Sequence, residues 1–163
     1  MRLIVLVFAV AACGPGVQGG PTMNNHMAGG ETDTATSPVV SSDILAREPL
    51  ANRVDVKHIL IGWKDLADAY GGRLDSRAEK RSKSDAEADV KKLVEQLKAG
   101  GDFDTLMKSE SEDPGSASTG KAYPVTPNAS LVIEFRQVSL RLRPGEIGVC
   151  QSEFGFHIVK RID

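Results

Sequence analysis

From Val54 to Ile61 the chain reads Val-Asp-Val-Lys-His-Ile-Leu-Ile, a β-branched and apolar run closed by Gly62. Such a run reads as a mostly buried strand, and a lone strand is stable only inside a sheet with an apolar face to cover. Its alternation puts Val56, His58 and Leu60 on one face and Lys57, Ile59 and Ile61 on the other. The rest of the ordered chain must supply the partners.

Downstream, Ser84 with Glu87 three residues on reads as a capping box. Ala86, Val90, Leu93, Val94 and Leu97 follow at helical spacing until Gly100-Gly101 ends the helix. Asp102 caps a second short helix carrying Phe103, Leu106 and Met107. Ser109 to Gly120 reads as a polar turn region, Lys121 to Val125 as a short strand, and Ser130 to Leu140 as an amphipathic helix after Pro127-Asn128. Beyond the Pro144-Gly145 turn, Ile147 to Cys150 and Phe156 to Ile162 read as two strands joined through Gln151 to Gly155. Trp63 to Arg81, broken by Gly71-Gly72 and heavily charged, reads as a long surface loop. The order predicts an α+β domain with a mostly antiparallel sheet.

Upstream the character changes. Met1-Arg2 and the unbroken apolar run Leu3 to Ala12 read as an export signal, too short for a span that takes about 20 residues. Val10-Ala11-Ala12-Cys13 resembles the lipobox of bacterial lipoproteins, which makes Cys13 the lipidated first residue after a signal peptide of residues 1–12. A plain secretory signal abutting a cysteine would look similar, and on either reading the chain leaves the cytoplasm. The sorting implied by that resemblance puts Gly14 against retention at an inner membrane, hence an expected lipid anchor in the cell envelope at the outer membrane. Gly14 to about Asn52 is rich in Gly, Pro, Ser, Thr and Asn without an apolar period, so it cannot bury enough surface to fold. Residues 13–52 are therefore expected to be a lipidated cysteine and a tether of r.m.s. span roughly 35 Å, with Ser41 to Arg47 at most a transient helical turn. The folded domain is expected over residues 53–163.

Composition narrows the function. Twenty basic against 22 acidic side chains leave a formal charge of −2, which argues against nucleic acid as a partner. Two cysteines cannot staple a mini-domain or build a cysteine zinc site, and with Cys13 lipidated, Cys150 reads as a small buried hydrophobe near a strand. Three scattered histidines, His26 without ligand neighbours among them, show neither His-Glu-x-x-His spacing nor a Ser-His-Asp arrangement, so no metal and no cofactor is expected.

Six segments in order then carry a resemblance: Lys57-His58-Ile59-Leu60; Gly100 to Leu106 with Asp102-Phe103; Ser111-Glu112-Asp113; Glu134-Phe135; Leu142-Arg143-Pro144-Gly145-Glu146-Ile147; and Phe154-Gly155-Phe156-His157-Ile158-Val159-Lys160. Together they resemble the parvulin (PpiC, rotamase) family of peptidyl-prolyl cis/trans isomerases across Val54 to Ile162. The resemblance implies a four-stranded antiparallel sheet surrounded by helices, and isomerisation of X-Pro bonds in unfolded or extended proline-containing polypeptides. It implies that His58 and His157 are paired histidines on adjacent central strands, with Asp113 near the substrate carbonyl and Ser152 in the same hydrogen-bond network. It implies a proline-ring pocket from Leu131 and Phe135, bordered by Phe154. As bare sequence the same residues also fit a structural histidine pair and an ordinary helix core.

The chain departs from the family where a Gly-Gly-x-Leu-Gly-x-Phe run is usual: here it reads Gly120-Lys121-Ala122-Tyr123-Pro124-Val125, which assigns the pocket wall to Ala122. Lys64, Arg73, Arg77 and Arg81 fall where some members bind phosphate, but Asp65, Asp68, Asp75 and Glu79 are interleaved with them, a solvated charged face. The reading is a monomeric, envelope-tethered isomerase assisting the folding of exported proteins; the alternative is a peptide-binding chaperone module of the same fold with weakened catalysis. No long helical arm precedes the domain, so the larger chaperone architecture of some exported relatives is not expected.

Overall fold

The computed structural model describes residues 36–163. Four strands, β1 (Val54–Ile61), β2 (Tyr123–Val125), β3 (Ile147–Ser152) and β4 (Gly155–Arg161), make one sheet in the order β2-β1-β4-β3. Every pairing is antiparallel. The fold is α+β, as the order of patterns predicts. β1 and β4 lie in the middle and are buried on both faces, which is why each reads as a near-continuous apolar run.

Helices cover both faces. On one, α2 (Lys83–Lys98) lays Ala86, Val90, Leu93 and Leu97 against Ile59, Ile61, Phe156 and Ile158, and α3 (Phe103–Glu110) adds Phe103 and Met107. On the other, α1 (Ser42–Leu45) and α5 (Ile133–Ser139) bring Ile44, Phe135 and Val138 onto Val54, Val56, Cys150 and Val159. Each such buried aliphatic or aromatic side chain contributes about 1.5–3 kcal/mol of apolar burial. Cys150 is a buried free thiol in β3, held protonated because burial pushes its pKa up.

The cap of α2 sits two residues before the expected one. Ser82 Oγ accepts from Asp85 N–H at 3.2 Å, and Asp85 Oδ2 accepts from Ser82 N–H at 3.1 Å, a complete capping box. The usual signature has Glu or Gln at the fourth position and so favours Ser84-x-x-Glu87; the extended backbone of Ser82 (φ −76°, ψ 165°) places the cap there instead, with Asp85 in the reciprocal role. The expected cap at Asp102 is present, accepting from Thr105 N–H at 2.8 Å.

Three expectations need correction. Residues 36–52, read as tether, belong to the domain. Ile44 is 4% exposed, in a niche where a Cβ on Gly148 would stand 3.1 Å from its Cδ1. Ser41 N–H donates to Val149 O at 2.9 Å and Val149 N–H to Ser41 Oγ at 3.0 Å, occupying an edge of β3 that would otherwise lie open. Leu50 N–H bonds Leu140 O, and Arg47 reaches Glu146 at 2.8 Å. Ile44 belongs to no apolar period because it docks singly on a surface made elsewhere. The expected signal peptide over residues 1–12, the expected lipidation of Cys13, His26 and the part of the expected tether up to residue 35 lie outside the described residues.

Trp63 to Arg81 is not a loop throughout. It contains 3₁₀ turns at Lys64–Tyr70 and Ala78–Lys80, and buries Trp63 against Phe156 with ring centroids 5.0 Å apart. Gly71, at φ 57°, ends the first turn in the left-handed region open to glycine. Within the expected turn region Ser109 to Gly120 lies a further helix, α4 (Pro114–Thr119), started by Asp113 and Pro114 and stopped by Gly120 at φ 64°. Among the described residues no helix is long and apolar enough to cross a membrane.

Candidate active site

At one end of the α5 face the sheet opens into a cleft of about 320 Å³. Its apolar walls are Leu60, Leu131, Phe135 and Phe154; its polar side is His58, His157, Asp113 and the phenols of Tyr70 and Tyr123.

Register builds the polar side. β1 pairs β4 with His58 opposite Val159 and Leu60 opposite His157, so the histidines are diagonal neighbours on one face. Their Nδ1 atoms stand 3.3 Å apart, and the rings are 7% and 5% exposed. Ser152, on the same face of β3, places Oγ 2.8 Å from His157 Nε2. Gly155 makes the β3–β4 turn possible: at φ 131° any Cβ would stand 2.6 Å from Ile61 O.

The carboxylate comes from the segment after α3, stitched to β1. Leu60 N–H donates to Ser111 Oγ at 3.1 Å, Glu112 N–H to Leu60 O at 2.9 Å, and Gly62 N–H to Glu112 Oε2 at 2.6 Å. The buried Glu112 is neutralised by Arg81, 2.6 Å away. Asp113 is left as the N-cap of α4, its Oδ2 accepting from Ser116 N–H at 2.9 Å, Ser116 Oγ at 2.5 Å, Tyr123 Oη at 3.0 Å and His58 Nε2 at 3.2 Å. The bond from His58, and after it those from Ser116, outweigh burial and hold Asp113 well below the usual carboxylate range.

Protonation then follows by elimination. Burial, reinforced by His58, lowers His157 to about 3, so it is neutral at pH 7. An ionised Asp113 can only accept, so His58 carries a proton on Nε2. Of the two facing Nδ1 atoms one is bare and accepts from the other, and His157 Nε2 shares a hydrogen bond with the Ser152 hydroxyl, which accepts from Phe154 N–H at 3.1 Å. The connected network from Phe154 to Asp113 is rigid and presents a fixed negative charge beside an apolar cleft.

Of the residues expected at the site, His58, Asp113 and His157 line the cleft with Leu131, Phe135 and Phe154, and Ser152 stands behind His157. Ala122 does not line it. Tyr123 pairs opposite Val56 and so shares the His58 face, which turns Ala122 away; the one-residue slip in a short edge strand exchanges the faces. Leu131 is not on a helix with Phe135, because Val132 is extended (ψ 146°) and α5 starts only at Ile133. It reaches the cleft from the preceding turn.

Three contributors were not read from sequence. Ser116 follows Asp113 by three residues, a cap signature that Asp113-Pro114 could have revealed. Tyr123 carries a signal only once its face is known. Tyr70, whose hydroxyl donates to Phe154 O at 2.6 Å, comes from the 3₁₀ turn and had none; burial, with Glu112 and Asp113 nearby, pushes its phenol up to about 12. Among the described residues no three His, Cys, Asp or Glu side chains cluster to hold a metal ion.

An antiparallel sheet in this order, with two histidines side by side at its centre and a carboxylate over an apolar cleft, defines a parvulin-type domain. The chain belongs to the PpiC-type peptidyl-prolyl isomerase domain family, whose model matches residues 42–163 and so takes in α1. It is similar to Chaperone SurA of Pseudomonas aeruginosa, 36% identical over 110 residues that make up 67% of this chain and 23% of that protein. It is also similar to Foldase protein PrsA of Geobacillus kaustophilus, 27% identical over 125 residues, 76% of this chain and 44% of that one. The chain thus spans less than half the length of either relative. The solved structure of TbPIN1 superposes with a TM-score of 0.59 at 19% identity, covering 69% of this chain and all of that one, a likeness of fold.

Proposed function

We propose that the domain catalyses cis/trans isomerisation of X-Pro bonds in unfolded or extended polypeptides, with Phe135, Leu131 and Phe154 receiving the proline ring and Asp113 acting on the amide. The observation that carries this reading is the ionised Asp113 at the cleft, held by hydrogen bonds from His58, Ser116 and Tyr123. The barrier of about 18–20 kcal/mol comes from amide resonance, which puts negative charge on the carbonyl oxygen and positive charge on nitrogen. A carboxylate beside that oxygen opposes the planar, resonant form and favours the twisted one, where the charge has returned to nitrogen. No bond breaks and no proton leaves the network, so catalysis is differential binding of the twisted amide.

Two further parts of the reading rest on the sequence and on similarity. Cys13 is the lipid attachment point and the domain works outside the cytoplasm at the cell envelope, as a monomer; the similarity to proteins named chaperone and foldase supports a role in folding exported chains. Fractionation of wild type and Cys13→Ser tests it: wild type should be found with membrane and the variant free of it, and an unmodified, wholly soluble wild type would overturn it. Phosphate recognition is not part of the proposal, since Arg77 is engaged by Asp75 and by the Ser109 and Ser111 carbonyls, and Arg81 by Glu112, Asp89 and Gly62 O.

The test of catalysis is refolding of a protein limited by one X-Pro bond, with peptide binding measured in parallel. Asp113→Ala should slow isomerisation while affinity changes little, because the lost interaction belongs to the transition state; Phe135→Ala should weaken binding first. A wild type that binds proline peptides and gives no acceleration would establish the peptide-binding module instead.

A further inference from the structure

We propose that Tyr123 is a positioning residue, its hydroxyl clamping Asp113 so that Oδ2 is committed to the protein and Oδ1 is the oxygen presented to the X-Pro amide. The second half of this statement rests on the isomerase reading above; the first does not.

The argument is geometric. A carboxylate turns about a broad sp³–sp² torsion, so a single cap bond does not set its plane. Around Asp113 the donors converge from three elements: His58 from β1, Ser116 from α4 and Tyr123 from β2, all onto Oδ2. Among the described residues no side chain or backbone group donates to Oδ1. Tyr123 is the β2 contribution, and like His58 it also lines the cleft: its ring meets His58 edge-on with centroids 5.3 Å apart and Phe135 at 6.5 Å. Ser116 Oγ lies 3.4 Å from the phenol oxygen, each hydroxyl spending its one proton on Oδ2. The phenol keeps its proton, since burial raises its pKa and the neighbouring carboxylate raises it further. It is therefore a donor to Asp113 throughout the working range.

An apolar residue would complete the same wall without reaching Oδ2. The tyrosine joins two jobs in one side chain, an apolar face toward the proline ring and a hydroxyl for the carboxylate. The groups facing Asp113 that carry or can carry charge are His58 from β1, His157 behind it from β4, Tyr70 from the 3₁₀ turn, Tyr123 from β2 and Glu112 beside it in sequence.

Tyr123→Phe removes the hydroxyl and leaves the ring, and two readouts are taken on the full-length protein. Kinetics on an X-Pro peptide should show kcat down about tenfold with KM unchanged, the loss of about 1.4 kcal/mol that one such hydrogen bond represents. Carboxyl-carbon NMR should show Asp113 titrating at higher pH than in wild type, because a donor to its charged form is gone. Tyr123→Leu, with the wall retained in another shape, should reproduce both and serves as the second variant should the first fail to fold. An Asp113 titration or a kcat indistinguishable from wild type in both variants would overturn the proposal and leave the tyrosine as wall alone. If wild type has no isomerase activity, the function proposed above falls, and the titration still decides for or against Tyr123 as the anchor of Asp113.

Discussion

His58 and His157 face each other nitrogen to nitrogen, Nδ1 to Nδ1 at 3.3 Å, across the two central strands. One ring must therefore offer a bare nitrogen to the other. Two imidazolium rings in this place would set N–H against N–H in a site with almost no water, so the pair resists acquiring charge.

Acid should unfold this protein earlier than its carboxylates alone would. His157 has a folded value of about 3 against an unfolded value near 6.5, so between those limits the unfolded chain binds more protons. Stability is fully present above about pH 6.5 and declines as pH falls toward 3, at a limiting slope of about 1.4 kcal/mol per pH unit from this one group. Asp113, also depressed, adds a loss that starts only below its unfolded range. Urea unfolding at pH 7, 5.5 and 4 measures the slope, and His157→Asn should flatten the part above pH 4.5. A wild-type curve flat between pH 6.5 and 4.5 would contradict the assignment.

Asp113 has two separable duties, the cap of α4 and the charge at the cleft. Asparagine is as good an N-cap as aspartate, so Asp113→Asn should keep the helix start and lose only the stability that the charge draws from its donors, while Asp113→Ala loses the cap as well and costs about 1 kcal/mol more. Both should lose isomerase rate to a similar extent. Thermal melts beside the refolding assay check it; an asparagine variant with wild-type rate would show that the charge is not what acts.

Arg81→Ala should be among the most damaging changes outside the cleft. It leaves Glu112 buried without its partner at 2.6 Å, and Glu112 is what ties Gly62 to the Asp113 segment. Stranding a buried charge costs about 3 kcal/mol or more. Denaturant midpoints should fall accordingly, with Arg81→Lys recovering only part, since a lysine cannot reach Glu112, Asp89 and Gly62 O together. A loss under about 1 kcal/mol would mean the pair is solvated.

A chain starting at Arg53 should be much less stable than one starting at Thr36. The longer form keeps Ile44 in its niche and Ser41 on the edge of β3. Ile44→Ala alone should cost about 2–4 kcal/mol. Hydrogen exchange of β3 amides, Val149 above all, should rise in the short form, and equal protection in both would show that residues 36–52 do not hold that edge.

What could be read from the sequence was whatever local chemistry and periodicity encode. Val54 to Ile61, the spacing of Ala86 to Leu97 and the Asp102 cap each state their element within a few residues, and the order of motifs singled out His58, Asp113, Phe135 and His157, which meet at one cleft. Tertiary structure decided the rest, for physical reasons that differ by place. Ser84 with Glu87 carried the usual capping-box signature, yet the backbone placed the cap at Ser82 with Asp85. Ile44 and Ser41 belong to no pattern because their partners, Val138, Leu142 and Val149, lie about a hundred residues away in sequence. The face of Tyr123 depended on which residue of β1 it met, since one step along a strand exchanges inside for outside. The pairing of His58 with His157 depended on a distance between side chains 99 residues apart, which no spacing along the chain expresses.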